Sequence, residues 1–555
     1  MSGIRSPDRR RARAAAVLVG VALVVGGCRA GDTTAPTGRS PAPAPSVRAG
    51  GTLTYASGQK LTGFNQHSPA SASAFLYNLM TQVWPSTFNS APDGQRVLNR
   101  ELLLSAEQTS SSPQTVVYRI DRRAAWSDGD PLDGRDFVYL WRTAYTKGAK
   151  DIDGSEIAAT AVSAQGVIES VSLSDDDRTV TVVFARPYPD WQSLFALLVP
   201  SHIAERVGWN RGFNEFDPAV VVSGGPFRIA GYRPDQDVTL VRNERYWERP
   251  ANLDAIVIRI LPDVGQLLPA MSNREIDLAN LTNPSTDLVT QARTVPGLTV
   301  AFYELARYDR LHFNFRNDLL AMPEVRRAIA LALDRPAILA RLNGQLDPAK
   351  AKISNSRLYS PGERGYEDTS GGRYDRADPA GARRLLETAG FVRSADGIYA
   401  RDSARMSFRI LQQARVDELI QAQLREVGIE VRIQSSPNVV DAQRRGDFDL
   451  TVASRPTGAG GKAGETSQFL TGGAFNLGRY SNPAVDDLIS LANSELDEAR
   501  RQSLYLRADQ VMWDDMPTLP LQQAIGVVIH RDTFSNIVPE IAGGLFVSAN
   551  HWGLR

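Results

Sequence analysis

The chain has 555 residues, several times the usual length of one domain, so more than one packed unit is expected. Apolar residues make up 42% and charged residues 22%, which argues against a globally disordered chain, a fibrous repeat and a polytopic membrane protein. The 62 basic and 62 acidic side chains cancel, leaving no whole-molecule field to gather nucleic acid, so no nucleic-acid partner is expected.

At the start, the basic stretch Arg9 to Arg13 runs into an apolar segment from Ala14 to Val25 and then Gly26-Gly27-Cys28. That order predicts a signal peptide over residues 1–27. Such a segment rises only about 18 Å as a helix against roughly 30 Å of hydrocarbon, so a permanent transmembrane helix is the weaker reading. The sequence Val25-Gly26-Gly27-Cys28 resembles the bacterial lipobox, whose cysteine is acylated and becomes the new N-terminus. Cys28 is the only cysteine in the chain, so it cannot form an internal disulfide, and lipid attachment is its expected use. A thioether diacylglycerol supplies two acyl chains, enough for stable anchoring at the extracytoplasmic face of a cell membrane. Losing the leader removes five arginines and one aspartate, which leaves the remainder slightly acidic. Residues 28–49, rich in Pro, Ala and Thr, cannot bury a core and are read as a disordered tether, with folded sequence from Gly50.

Three segments rich in β-branched residues predict strands: Thr52 to Tyr55, Thr115 to Ile120 and Thr179 to Phe184. Asp175-Asp176-Asp177 predicts the hairpin turn before the third, and Ser127-Asp128-Gly129-Asp130-Pro131 is dense in turn chemistry. After Pro323, residues Val325, Ile329, Ala332 and Leu333 fall on one helical face. Asp378-Pro379 predicts a capped helix start with Leu385, Leu386 and Ala389 as its buried stripe and Gly390 at its end. Leu419, Ile420, Leu424 and Val427 predict a third helix that passes through Gly428 into an alternating strand, Ile429 to Ile433. Helix-to-strand units of this kind point to an α/β class, and no repeat of 20 to 50 residues is present.

Four segments in order resemble the peptide and nickel class of extracellular solute-binding proteins, family five, which serve ABC importers. They are Val117-Tyr118-Arg119-Ile120 with Trp126-Ser127-Asp128-Gly129 and Gly134 to Val138; Ser223 to Ile229 with Leu240 to Trp247; Arg274-Glu275-Ile276-Asp277; and Leu311-His312-Phe313-Asn314 leading to Val325 through Asp334. The resemblance implies a two-lobed, periplasmic-binding-protein-like α/β fold that closes on a ligand. Carried over, lobe one covers residues 50–307 and 522–555, lobe two covers 308–521, and an extra subdomain, about 91–221, is inserted in lobe one. Hinge crossings would lie near Tyr308 to Leu311 and Leu519 to Gln522. Pro85-Ser86-Thr87-Phe88 and Trp191-Gln192-Ser193-Leu194-Phe195 are similar to an actinobacterial branch, one of whose members is linked to phosphatidylinositol mannoside and lipoarabinomannan assembly rather than import.

Most motif residues have a structural reading. Gly224-Gly225-Pro226 is expected to supply positive dihedral angles before a fixed one, Asn243 a turn, and Arg242, Arg245, Arg326 and Arg327 ion pairs between elements. The five histidines are scattered without zinc-site spacing, so neither a metal nor a cofactor is expected. No Gly-x-Ser-x-Gly elbow or Gly-x-x-x-x-Gly-Lys phosphate loop occurs, so an enzyme is not expected. The glycine run Gly458 to Gly464 reads as a flexible loop.

That loop departs from the family. Peptide carriers place a Trp and an acid after the strand matched here by Phe448 to Ala453, the carboxylate pairing with the ligand's amino group, whereas Ser454-Arg455-Pro456-Thr457-Gly458 follows in this chain. The resemblance therefore implies a ligand site drawn from Asn65, Gln66, His67, Arg455, Thr457 and Glu465, with Trp84 as a stacking wall. Arg455 and Lys462 near the cleft would repel an ammonium, so free peptides are expected to be poorer ligands than anionic, neutral or sugar-bearing solutes. The function expected is a lipid-anchored solute-binding protein that captures a small molecule or peptide for an ABC transporter permease, without catalysis. The alternative is a cell-envelope regulator that binds a lipid-linked saccharide or a membrane enzyme.

Overall fold

The computed structural model describes residues 47–91, 94–344, 346–412, 416–456, 461–473, 475–539 and 544–555; of residues 306, 455 and 456 it describes the backbone alone. The expected signal peptide, Cys28 and the tether up to residue 46 lie outside the described residues. Backbone pairing begins at Arg48, whose N–H donates to Leu554 O at 2.8 Å, slightly ahead of the expected start at Gly50.

A ten-stranded sheet forms the spine of the molecule. In spatial order its strands are Glu430–Gln434, Ser407–Leu411, Leu450–Pro456, Leu298–Phe313, Thr518–Arg531, Leu278–Leu281, Thr52–Ser57, Ala255–Ile260, Asp237–Arg242 and Phe227–Arg233. Parallel pairs lie towards both ends, Thr52–Ser57 against Ala255–Ile260 and Ser407–Leu411 against Glu430–Gln434, while the long central strands run antiparallel. Strand Ala255–Ile260 buries Ile256, Ile258 and Ile260 in period two. The central strand Thr518–Arg531 is buried along nearly its whole length, as a strand covered on both faces must be.

Two large hydrophobic cores divide along the central pair. Leu53, Trp84, Tyr118, Phe137, Leu240 and Ile258 belong to the first; Leu311, Phe313, Ile329, Leu386, Ile410 and Leu519 belong to the second. The strand Leu298–Phe313 touches the first core through Tyr303 and enters the second at Leu311, and its register with Thr518–Arg531 shifts between Glu304 and Tyr308. These cores define two lobes joined through long strands, the α/β arrangement expected from the sequence.

An antiparallel sheet of four strands, in the order Leu103–Ser111, Gln114–Ile120, Thr179–Phe184 and Ile168–Leu173, lies within lobe one. It has no separate core, because Val116, Tyr118, Val180 and Val182 join the first cluster. The helix Gly134–Thr143 beside it starts on a capping box: the Asp133 side chain accepts from the backbone while Asp136 reaches back to the cap. In lobe two, the helices Pro323–Ala332, Pro379–Thr388 and Asp417–Glu426 form where periodicity places them.

Three local expectations are corrected. Neither Gly224 nor Gly225 has a positive φ; a Cβ on Gly225 would sit 2.3 Å from Gln82 O, so close backbone approach is what excludes a side chain there. Of the four motif arginines, Arg242 makes the expected ion pair, with Asp254 at 2.8 Å, whereas Arg326 and Arg327 donate to the backbone carbonyls of Asp515 and Asp514. The last carbonyls of a helix have no intrahelical partner and so are free to accept from a guanidinium. Residues Gly461–Thr466, expected within a flexible loop, form a helical turn.

Candidate ligand cleft

The lobes meet where the central strands cross, and polar side chains occupy the crossing. Gln522, only 2% exposed, donates to Asp309 Oδ2 at 2.9 Å and accepts from Asn343 Nδ2 at 2.9 Å. Lys352 pairs with Glu304 at 2.7 Å, and the Tyr308 hydroxyl donates to Arg357 O. Buried amides in the middle of a strand require partners of this kind, so the crossing has a defined polar geometry.

A second bridge between the lobes lies away from those strands. The turn Pro189–Ser193 of lobe one brings the Asp190 carboxylate to the start of the helix Gly461–Thr466, where Asp190 Oδ2 accepts from the Ala463 amide at 2.9 Å. Gly461, at φ +71°, makes the approach possible, since a Cβ there would lie 2.4 Å from Asp190 Oδ2. Burial pushes the Asp190 carboxyl above its ordinary value, against the pull of the Ala463 amide and of Arg501, Lys462 and Arg96.

The same helix is anchored inside lobe two by Lys462. Its ammonium donates to Leu358 O at 2.8 Å, Glu363 Oε1 at 2.7 Å and Glu465 Oε2 at 2.9 Å, and it lies 4.3 Å from the centre of the Tyr359 ring. Burial works against this charge, but Glu363 and Glu465 outweigh it and hold the lysine pKa well above normal. Lys462 is therefore a neutralised cation. The expected repulsion between Lys462 and a ligand ammonium is corrected, because two carboxylates already face the lysine.

Next along lies Arg310, 1% exposed. Its guanidinium carbon sits 4.1 Å from the centre of the Tyr308 ring and 5.7 Å from that of Phe469, and Nη1 donates to Gln468 Oε1. A small nearby cavity lined by His312, Gln468, Asn476, Tyr480 and Thr518 has room for about one water rather than a solute.

The residues expected at the site from the sequence fall into two separate groups. Asn65 accepts from His67 N at 3.0 Å and donates to Trp209 O at 3.2 Å; Gln66 Oε1 accepts from Ser73 N at 3.3 Å. His67 Nε2 meets Leu197 O at 2.9 Å, and burial lowers its pKa. Trp84 is fully buried, its ring edge-on to Phe213 and its Nε1 donating to Val222 O at 3.2 Å. All four side chains make these contacts within lobe one, and in this conformation Trp84 offers no open ring face. On the other side, the Arg455 backbone pairs with Tyr308, Thr457 lies outside the described residues, and Glu465 is engaged by Lys462.

Asp190, Glu363 and Arg310 were missed in the sequence. Asp190 directly precedes the family-like Trp191 segment, and Arg310 lies in the expected hinge with period two linking it to Tyr308 and His312, so both carried a positional signal. Glu363 carried none. Among the described residues no group of three or more His, Cys, Asp or Glu is placed to hold a metal, and no helix is long and apolar enough to cross a membrane.

Comparison with known proteins accords with this architecture. Residues 98–476 match the model of the bacterial extracellular solute-binding proteins, family 5 Middle. The oligopeptide-binding protein OppA of Mycobacterium tuberculosis is 29% identical over 478 residues, covering 82% of this chain and 77% of that protein. The probable monoacyl phosphatidylinositol tetramannoside-binding protein LpqW of the same organism is 30% identical over 404 residues, covering 70% of this chain and 60% of LpqW. Among solved structures, the periplasmic EDTA-binding protein EppA superposes with a TM-score of 0.85 at 27% identity, covering 92% of this chain and 98% of EppA.

Proposed function

The chain belongs to the bacterial extracellular solute-binding proteins, family 5, and from that premise we propose that it captures an oligopeptide-class solute between its two lobes for an ABC importer. Its matched relatives bind substrates and are not enzymes, and an extracytoplasmic location follows from the family. The finer reading is a lipoprotein anchored through Cys28 at the outer face of the cell membrane, delivering its solute to a permease.

The observation that carries this reading is the bridge between Asp190 and Ala463. Two lobes whose main cores are separate, joined through long strands and bridged again between Asp190 and a short helix, have the parts a closing cleft needs. Solute binding then stabilises the closed arrangement by whatever contacts it adds there. Internal neutralisation of Lys462 favours keeping peptides within the solute class, because no free lysine charge opposes a peptide ammonium at this helix.

Likeness to LpqW favours a second reading, in which the cleft holds a mannosylated lipid headgroup. Calorimetry on the full chain with di- to pentapeptides and with phosphatidylinositol mannosides tests both. Micromolar or tighter binding of a peptide, with compaction in small-angle scattering, is the expected result; binding of the mannosides alone would overturn the peptide reading.

A further inference from the structure

We infer that Arg310 receives an anionic group of the captured solute, a carboxylate or a phosphate. This deepens the capture function proposed above and rests on it.

Arg310 differs from the other arginines buried in lobe two. Arg326 donates to Leu320 O, Asp515 O and Met516 O. Arg335 donates to Tyr374 O, Ser354 O and Pro520 O and pairs with Asp375. Arg357 donates twice to Thr518 O and pairs with Asp509. Each of these has several acceptors, as a buried guanidinium with its five N–H groups requires. Among the described residues Arg310 has the single acceptor Gln468 Oε1, and its buried Nε has no partner. The neighbouring carboxylates serve other groups: Asp309 accepts from Gln522, Glu465 from Lys462, and Asp509 from Arg357, Ser356 and Thr369. Arg310 thus keeps a positive charge out of water with aromatic rings on its faces and an edge unmatched.

Its position gives that charge a use. Strand pairing sets Arg310 between Ala453 and Pro520, beside the crossing of the lobes. Gln468 and Phe469, which cover it, follow directly on the helix Gly461–Thr466 held by Asp190 of the other lobe. When the lobes part, this cover loses its outside support, and a solute entering the cleft can bring its anion to the free edge of the guanidinium. A planar guanidinium with a vacant Nε edge is suited to the two oxygens of a carboxylate or phosphate.

The test uses the dialysed full chain, wild type and Arg310→Met. Each is titrated calorimetrically with one tetrapeptide as free acid and as carboxamide, and melted with and without inorganic phosphate. The expected result is an acid-over-amide preference of about tenfold or more in the wild type that falls to near unity in Arg310→Met. The ligand-free variant should melt no lower than wild type, because an apolar stem replaces an incompletely matched charge. Equal binding of acid and amide by the wild type, or a ligand-free Arg310→Met that melts several degrees lower, would overturn the inference. If neither peptide form binds, the oligopeptide reading fails separately; phosphate protection of wild type but not of the variant would still support Arg310, and no such protection would sink it.

Discussion

Asp190 and Ala463 lie 273 positions apart in sequence, yet the carboxylate of one accepts the backbone amide of the other across the two lobes. Few acidic groups face Asp190; its charged neighbours are Arg501, Lys462 and Arg96, with the ring hydroxyls of Tyr188 and Tyr505 near it. Opening the lobes returns Asp190 to water and to its ordinary pKa. Because its pKa is raised in the closed form, the closed form binds the proton more tightly, so its advantage is complete below the ordinary carboxylate range and is lost as pH rises through the raised value.

Small-angle scattering of the ligand-free wild type should therefore show a smaller radius of gyration near pH 4.5 than at pH 8. Asp190→Asn keeps an acceptor for Ala463 without the charge and should stay compact at both pH values. Asp190→Ala should be the more open variant throughout. A wild-type profile identical at both pH values would remove Asp190 as the titrating group.

Lys462 gives a prediction about stability. Replacing it by Met leaves Glu363 and Glu465 facing each other in a largely buried site, their side chains 21% and 9% exposed. Removing one partner of a buried ionic group costs on the order of 3 kcal/mol, and here two carboxylates lose the cation they share. Urea denaturation of Lys462→Met should show a loss of that size, whereas Glu465→Gln, which leaves Glu363 on the lysine, should lose about 1 kcal/mol. Equal losses would mean that Glu363 does not hold the charge.

Much of the scaffold is legible in the sequence because one face of each element is apolar at the right period. Thr179–Phe184 and Pro323–Ala332 form where alternation and helical spacing put them. The helix Gly461–Thr466 was not legible, since Gly-Lys-Ala-Gly composition favours a loop; it is held by Asp190 from the other lobe and by Glu363, contacts that no local pattern encodes. Nor does sequence order reveal which way a polar side chain faces. Asn65 and His67 occupy family-like positions, but their contacts with Trp209 and Leu197 are visible only in three dimensions.

Cys28 supplies a prediction independent of the folded body. If the cysteine after Gly27 carries the diacylglycerol, wild-type protein expressed in its bacterial host should partition into the detergent phase of a Triton X-114 extraction. Cys28→Ser should accumulate unprocessed, at a mass higher by roughly the leader, and lack the diacylglycerol that mass spectrometry should find on the wild-type N-terminus. A variant cleaved and acylated like the wild type would exclude Cys28 as the anchor.

The last prediction concerns what keeps the second lobe rigid beside the cleft. Asp509, fully buried, accepts from the Ser356 hydroxyl at 2.7 Å, the Thr369 hydroxyl at 2.6 Å, the Arg357 amide at 3.0 Å and the Arg357 guanidinium at 3.3 Å. Arg357 in turn lies 4.1 Å from the centre of the Trp513 ring, and its carbonyl accepts from the Tyr308 hydroxyl at the strand crossing. Removing the carboxylate in Asp509→Ala leaves a buried guanidinium without its counter-ion and takes the acceptor from the Ser356 hydroxyl and the Arg357 amide, while the Thr369 hydroxyl keeps Asn355 O at 3.1 Å. Loss of one partner from such a pair costs about 3 to 5 kcal/mol, a large share of the stability of an ordinary domain. Arg357→Met strands the carboxylate instead and should cost a similar amount, while the double variant Asp509→Leu with Arg357→Met should recover part of the loss because neither charge is left alone. Chemical denaturation of the full chain, followed by tryptophan fluorescence and circular dichroism, measures all three. If the double variant loses as much as the two single variants together, the pair is not a coupled unit, and the rigidity of this side of the crossing comes from apolar packing around Tyr374 and Trp513 instead.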